Sequence, residues 1–329
     1  MRCQRRDRFI GFVLITALVG ACGGSSSFEQ PAETSDGWAT ATLAEVGLET
    51  GPFKELVNHV TDNDQRAVHG ILVVKDGRLV FEEYFDGYRF DYNDPEFRGE
   101  PVEFDAETRP NLMSITKAVT GALVGIAVDE GLIAGVDESV VEQFDQYAHL
   151  ADDTKDDITV EHLLTMTSGF EWNEWDVPLT DTENNDLIQL FIVDDPVEYI
   201  IAQPVVHEPG TYWYYSGGDV NLLGEYFEQA TGTPIDEFSA IHLFGPLGIS
   251  DYEWQYLNPD VVDASGELKM RPRDLAKVGW LYANGGQWNG TEVISAEWVD
   301  ASLSEHVAMP GRAADGDAYG YQWFLDTYE

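Results

Sequence analysis

The chain has 329 residues, of which 43% are hydrophobic and 12% aromatic, and its 18 basic against 60 acidic residues give a formal net charge of −42. This apolar content suffices for a packed core and excludes a wholly disordered chain. A surface this acidic repels phosphate groups and anionic lipid headgroups, so we expect no nucleic-acid partner.

Residues 1–21 have the features of a bacterial lipoprotein signal peptide. Four arginines precede an apolar run from Phe9 to Val19, which is shorter than the ~20 residues that a membrane-spanning helix needs. Small residues then lead to Cys22, and a Gly- and Ser-rich stretch follows it. We therefore predict that cleavage leaves Cys22 as the lipidated first residue of an exported protein, anchored to the membrane of a bacterial cell envelope. An ordinary signal peptide with an incidental cysteine is the alternative.

The predicted elements begin after a linker. Residues 22–40 are small, polar and acidic and predict a flexible linker, so the folded domain is expected to span residues 41–329. Leu43–Val60 predicts an amphipathic helix. Gly70–Val74 and Arg78–Phe85 are rich in β-branched and aromatic residues, and the Asp-Gly pair between them predicts a β-hairpin, because glycine accepts the positive φ of a tight turn.

Helices dominate the predicted middle of the chain, after an acidic loop at residues 86–108. Leu112–Glu130 is rich in Ala, Val, Leu and Ile and is followed by Gly131 as a cap, so it predicts a buried helix. Further helices are predicted at Thr159–Met166, Pro196–Ala202, Gly218–Thr231, Ile235–Phe244 and Pro272–Ala283, and a strand at Tyr319–Leu325. Strands at both ends indicate an α+β fold: an antiparallel sheet flanked by helices, with an inserted, mainly helical subdomain at about residues 137–258.

Ser114 and Lys117 form the main candidate for catalysis, in the sequence Ser114-Ile115-Thr116-Lys117 at the start of the most apolar helix. Residues at i and i+3 lie on one helix face and within reach of each other. A serine hydroxyl is a poor nucleophile unless a base is adjacent, and burial and the positive end of a helix dipole both disfavour a protonated amine. Lys117 is therefore a candidate base for Ser114. A plain N-cap serine with a snorkelling lysine is the alternative.

Tyr215 is the second candidate, on a loop that follows Pro209-Gly210 and precedes an apolar helix. Its phenol can relay a proton, although an aromatic core contact explains the same pattern. No zinc motif, Gly-rich phosphate loop or calcium loop occurs in the sequence, so we predict no metal and no cofactor.

The order of these motifs resembles the serine β-lactamase-like family, which includes class C β-lactamases, DD-peptidases, related esterases and 6-aminohexanoate-dimer hydrolases. The resemblance extends from about Gly70 to Leu325. Its further landmarks are Thr159–Gly169, Pro209-Gly210 with Tyr215-Ser216, Arg271–Lys277 and Tyr319–Trp323. It implies that Ser114 forms an acyl-enzyme, that Lys117 shares proton transfer with Tyr215, and that the Ser114 backbone N–H is half of an oxyanion hole.

Two departures from the family pattern stand out. Its second motif often reads Tyr-x-Asn, but Gly217 occupies the third position here, which fits the amide- and ester-hydrolase branch better than the β-lactam branch. Its third motif, a Lys- or His-Thr-Gly or similar Gly-rich strand, is not found before Glu329. We therefore predict that the sequence is a C-terminally truncated form that lacks the last strands and is inactive or nearly so.

The predicted function is that of an exported serine hydrolase that acts on small esters or amides through an acyl-enzyme on Ser114. Two alternatives stay open. One is a penicillin-recognising DD-peptidase or β-lactamase, which shares the same chemistry. The other is a non-catalytic binding lipoprotein that keeps the fold and has lost turnover.

Overall fold

The computed structural model describes residues 28–62, 68–92, 94, 96–309 and 317–326. The predictions for the signal peptide at 1–21 and for Cys22 lie outside these residues. The described residues form an α+β fold in which helices surround several small sheets, and the predicted fold class is confirmed. Within the described ranges, no helix is both long and apolar enough to cross a membrane.

The described secondary structure is dominated by short strands and by helices of mixed length. The strands are β1 (Ala39–Thr40), β2 (Gly70–Lys75), β3 (Arg78–Tyr84), β4 (Asp86–Phe90), β5 (Arg98–Glu103), β6 (Tyr252–Glu253), β7 (Tyr256–Asn258), β8 (Val261–Val262), β9 (Lys269–Met270), β10 (Gln287–Trp288), β11 (Thr291–Glu292), β12 (Val307–Ala308), β13 (Ala318–Tyr319) and β14 (Phe324–Leu325). The helices are α1 (Thr50–Asp62), α2 (Thr116–Asp129), α3 (Val160–Leu164), α4 (Asp186–Gln189), α5 (Pro196–Ala202), α6 (Gly217–Thr231), α7 (Ile235–Ser239), α8 (Pro272–Ala283) and α9 (Ala296–Ser302).

The predicted hairpin is present as β2 and β3, which pair antiparallel. Its turn residues Asp76 and Gly77 both have positive φ, 52° and 73°, as a tight hairpin turn requires. β1 adds to β3 in parallel, so the order is β1-β3-β2 and one edge of β2 is unpaired among the described residues. The prediction that further strands follow Glu329 stays a prediction.

Residues 86–108, predicted to be an acidic loop, instead contain the antiparallel hairpin of β4 and β5. Its strands are only partly buried, so they lack the apolar alternation that marks a strand in the sequence. Opposite charges face each other across the hairpin, as in the 2.8 Å pair of Arg89 and Glu100. The acidic residues that suggested a loop lie instead on the exposed surface of this hairpin.

The N-terminal predictions also need correction. The predicted helix Leu43–Val60 starts later, at Thr50, because Gly47 at φ 73° ends a preceding 3-10 turn. Of the predicted linker 22–40, the described residues from 28 onward lie against the folded body: Trp38 is buried and its indole N–H donates to the carbonyl of Arg273 at 3.0 Å. The sparse apolar content of the segment concealed these contacts, which also include Phe28 against Phe81.

Arg273 forms ion pairs that join the N-terminal segment around Asp36 to strand β3. Its guanidinium contacts Asp36 at 3.0 Å and Glu82 of β3 at 2.5 Å, and all three side chains are largely buried. Bidentate, partly buried pairs of this kind hold a fixed geometry.

Helix α2 lies in the centre of the fold. Nearly every one of its side chains is buried, as the apolar sequence predicted, and a 3-10 turn at Met113–Ile115 precedes it. Gly125 of α2 faces the Trp298 ring of α9, and the Trp298 indole N–H donates to the carbonyl of Gly121 at 3.1 Å. This contact fixes the helix that begins beside Ser114.

The C-terminal strand predicted at Tyr319–Leu325 is two strands, β13 and β14, which pair antiparallel. Gln322, at φ 64°, makes the turn between them. Its side-chain amide donates to the carbonyls of Leu163 and Leu164, at 3.1 and 3.0 Å. These long-range hydrogen bonds hold a turn in a segment that the sequence alone predicts to be one continuous strand.

We expect Gly125→Ala to lower the free energy of unfolding by about 1–3 kcal/mol, because its Cβ would lie 2.3 Å from the Trp298 ring. Gly279→Ala in α8 is the matched control: apart from its chain neighbours and the nearby backbone of its own helix, no described atom lies within 4 Å of that Cβ, so this change should stabilise the protein by ~0.5–1 kcal/mol. Urea denaturation followed by circular dichroism measures both. Equal effects of the two substitutions would contradict the packing constraint.

Candidate active site

Ser114 and Lys117 lie close together at the start of α2. Ser114 is exposed in the 3-10 turn that precedes the helix, whereas Lys117 is in the first helical turn and only 3% exposed. The Lys117 Nζ lies 3.4 Å from the Ser114 Oγ. The same amine donates to the backbone carbonyl of Ser265 at 2.6 Å. An exposed hydroxyl therefore sits above a buried amine that a second chain segment holds in place.

The backbone immediately before Ser114 is strained. Met113 has φ 48°, in the left-handed region that side chains other than glycine seldom adopt. Two side chains hold it there: the Asn111 Oδ1 accepts the Met113 N–H at 2.8 Å, and the Thr116 hydroxyl donates to the Met113 carbonyl at 2.7 Å. Strain that surrounding hydrogen bonds enforce is typical of functional sites.

Tyr215 lies beside this pair. It precedes α6, whose N-cap Ser216 accepts the N–H of Asp219 at 3.0 Å. Tyr215 is buried, 5% exposed, and the Lys117 Nζ lies 5.0 Å from the centre of its ring. The structure thus brings the three residues singled out from the sequence into one cluster.

A buried polar network that the sequence analysis missed surrounds the amine. Ser265 donates from its hydroxyl to Asp263 at 2.8 Å and accepts from the side-chain amide of Asn221 at 3.1 Å. The side-chain oxygen (Oδ1) of Asn221 accepts the N–H of Ala264 at 2.9 Å. Asp263, Ser265 and Asn221 are each 1% exposed. No motif spacing marks them, because they come from two separate segments that meet only in the fold.

The charge of Asp263 responds to this environment. Burial raises the pKa of its carboxyl to about 6, while the hydrogen bonds from Ser265 and the positive charge of Lys117 act in the opposite direction. Above that pH the carboxylate is negatively charged and interacts electrostatically with the Lys117 amine. Glu267, on the same loop, adds a second negative charge nearby.

Gly217 has a steric explanation in this structure. A Cβ at this position would lie 2.8 Å from Leu187, 3.0 Å from the Glu174 carboxylate and 3.3 Å from the Ser265 hydroxyl. The buried Glu174 instead accepts the Gly217 N–H at 2.5 Å and the Trp172 indole N–H at 2.9 Å. Leu187 and the Glu174 carboxylate therefore occupy the space that an asparagine side chain would need.

Asp219 connects the Tyr215 loop to the turn at Thr165–Phe170. Its carboxylate accepts from the hydroxyls of Ser168 at 2.7 Å and Ser216 at 3.1 Å. Complete burial raises the pKa of this carboxyl to about 7. The turn is thus a structural support for the Tyr215 loop. In the part of the chain that the structure describes, no three His, Cys, Asp or Glu side chains are grouped to hold a metal ion.

Comparison with known proteins gives relatives that are named as hydrolases and as acyltransferases. The 6-aminohexanoate-dimer hydrolase of Paenarthrobacter ureafaciens is 28% identical over 218 residues, which cover 61% of this chain and 52% of that protein. The lovastatin esterase of Penicillium rubens is 26% identical over 196 residues, which cover 53% of this chain and 46% of that protein. The chain spans about half the length of these relatives.

Solved structures show the same fold at low identity. A penicillin-binding protein homologue from Caulobacter crescentus aligns with a TM-score of 0.61 and 19% identity, covering 88% of this chain and 82% of that one. A family VIII carboxylesterase aligns with a TM-score of 0.59 and 20% identity, covering 84% of this chain and 82% of that one.

The sequence model of the Beta-lactamase family matches residues 53–329, most of the chain. The resemblance predicted from the motifs is thereby confirmed. The chain belongs to the Beta-lactamase family of proteins, and its relatives include hydrolases.

Proposed function

We propose that the protein is a serine hydrolase of small esters or amides that works through an acyl-enzyme on Ser114. The observation that carries this proposal is the 3.4 Å approach of the buried Lys117 amine to the exposed Ser114 hydroxyl. In the proposed first step the hydroxyl proton passes to Lys117 as the oxygen attacks the substrate carbonyl. The bond to the leaving group then breaks, the leaving group takes up the proton, and water hydrolyses the acyl-enzyme.

Tyr215 is proposed to share in this proton transfer. Its ring lies beside the Lys117 amine and is held by packing rather than exposed to solvent. Side chains fixed in this way need little reorganisation during the reaction. The names of two relatives, a dimer hydrolase and an esterase, agree with an ester or amide substrate.

Asp263 is proposed to position and stabilise the protonated amine. When Lys117 takes up the serine proton, a positive charge forms in a buried environment, where it is costly without a negative partner. The carboxylate of Asp263 supplies that partner and also holds Ser265, whose carbonyl binds the amine. Asp263 therefore acts through Lys117 rather than on the substrate.

Fluorophosphonate labelling tests the nucleophile. In the full-length protein as its gene encodes it, we expect labelling at Ser114 and loss of labelling in Ser114→Ala. Lys117→Met should slow labelling by roughly 100-fold or more, because removal of an adjacent general base typically costs that much. Ser304→Ala changes an exposed serine far along the chain and serves as the control. Mass spectrometry locates the adduct, and an adduct on another residue would refute the assignment.

A pH profile tests Asp263. We expect Asp263→Asn to lower turnover of p-nitrophenyl acetate by roughly 10-fold at about pH 8, because the protonated amine loses its negative partner. Below a pH of about 6 the wild-type carboxyl is itself protonated, so the two rates should converge there. Asp260→Asn changes an exposed acid of the same region as the control. A rate ratio that is constant across pH would point to a purely structural role.

We also propose that the protein is exported and anchored to the membrane by a lipid on Cys22, which rests on the sequence of residues 1–22. Metabolic labelling with radioactive palmitate in a bacterial host should yield a labelled, membrane-associated protein. Cys22→Ser should abolish the label, whereas Cys3→Ser, within the predicted signal peptide, should not. Label that persists in Cys22→Ser would show that this cysteine is not the lipid site.

A further inference from the structure

Two exposed aromatic side chains flank Tyr215, the residue proposed to share in proton transfer. The centroid of the Trp175 ring lies 5.1 Å from that of the Tyr215 ring, and the Phe324 ring stacks on Tyr215 at 6.1 Å. Tyr215 itself is buried, whereas Trp175 is 58% exposed and Phe324 is 46% exposed. These two exposed rings form an aromatic platform over the buried tyrosine.

The residue before Trp175 fixes its place beside Tyr215. The buried Glu174 accepts the N–H of Gly217, two residues after Tyr215, and the indole N–H of Trp172. A Cβ at Gly217 would lie 3.0 Å from the Glu174 carboxylate, so glycine favours this close approach. The glycine that stands where the family often has asparagine therefore admits the segment that carries Trp175.

The aromatic platform has the character of a ligand contact. A single exposed apolar residue is ordinary on a protein surface, but two aromatic rings that share one buried neighbour form a patch. Aromatic rings attract each other when their centroids are about 4.5–7 Å apart, in addition to the apolar surface that they remove from water. The platform therefore suits a flat apolar group of a ligand.

The proposed mechanism indicates which part of a substrate reaches the platform. In that mechanism Lys117 and Tyr215 return the proton to the leaving group, and a proton donor must lie within about 2.6–3.2 Å of the atom that receives the proton. The leaving atom is therefore on the Tyr215 side of Ser114. Groups attached to that atom extend over the surface that Tyr215 shares with Trp175.

The charges next to Trp175 are negative. Glu174 precedes it, and Asp176, which follows it, is exposed and accepts from the Tyr214 hydroxyl at 3.4 Å. Charges of the same sign repel each other across such short distances. An anionic leaving group is therefore disfavoured here, and an uncharged one is favoured.

We propose that the aromatic platform binds the leaving group, and that the protein prefers esters and amides whose alcohol or amine part carries an uncharged aromatic ring. The inference rests on the proposed function and names its substrate class. Trp175 determines specificity in this assignment, because it contacts the part of the substrate that departs and takes no part in proton transfer.

Two acetate esters test the leaving-group side: 2-phenylethyl acetate, whose alcohol carries the ring, and ethyl acetate, whose alcohol does not. The measurement is the ratio of their kcat/KM values in the full-length protein. We expect Trp175→Ala to lower this ratio roughly 3- to 10-fold, as for loss of an aromatic contact, and Trp175→Phe to restore most of it. Ile241→Ala removes an exposed apolar side chain from the segment after α7 and, as the matched control, should keep the wild-type ratio.

A second pair of esters, ethyl 3-phenylpropanoate and ethyl propanoate, places the ring on the acyl side. We expect their ratio to be the same in the wild type and in Trp175→Ala. An equal fall in both ratios would show that the ring is not bound as part of the leaving group and would overturn the proposal. Slower turnover of all four esters with unchanged ratios would show that Trp175 only supports Tyr215, and would overturn it as well.

Saturation-transfer NMR with 2-phenylethanol, the leaving group itself, needs no turnover and keeps the two failures apart. Transfer to its ring protons in the wild type, Ser114→Ala and Ile241→Ala, with loss in Trp175→Ala, supports the aromatic platform as the binding site. Equal transfer in all four proteins, or transfer in none, contradicts it. Ester turnover that survives Ser114→Ala would instead refute the proposed function alone.

Discussion

The site depends on one constraint: a lysine amine must be kept almost out of water and still point at a serine hydroxyl. Lys117 is 3% exposed, and its amine donates to the Ser265 carbonyl at 2.6 Å, which fixes its direction. Burial of an unpaired ammonium is costly, so the surrounding groups must supply acceptors and negative charge. The carbonyl of Ser265 supplies an acceptor, and Asp263 supplies negative charge. Asn221 holds Ser265 in place by a hydrogen bond to its hydroxyl.

The rest of the fold positions helices α2 and α6, which carry the groups around the Lys117 amine. Helix α2 brings Ser114 and Lys117, and its tight packing at Gly125 against Trp298 prevents it from shifting. Helix α6 brings Asn221 and follows Tyr215, and the buried Asp219 fastens its start to the turn at Thr165–Phe170. Secondary-structure elements on both sides therefore keep Ser114, Lys117 and Tyr215 close to each other.

Local chemistry explains which predictions succeeded. The turn at Asp76-Gly77 is set by backbone preference, and helices α5 and α8 were predicted to the residue because each begins with a proline at its first turn. The hairpin of β4 and β5 was missed because its stability comes from cross-strand pairing of polar residues, which has no apolar period. Trp38 was missed because its partner, Arg273, is 235 residues away.

The sequence by itself determined the pair Ser114 and Lys117, since three residues along a helix always bring two side chains to one face. It also indicated Tyr215 as a candidate and identified the family, because the order and spacing of the motifs can be read from the sequence alone. Only the tertiary structure decided which groups surround the Lys117 amine. Those features join segments more than 100 residues apart, such as Lys117 with Ser265, and no local pattern encodes a distance of that kind.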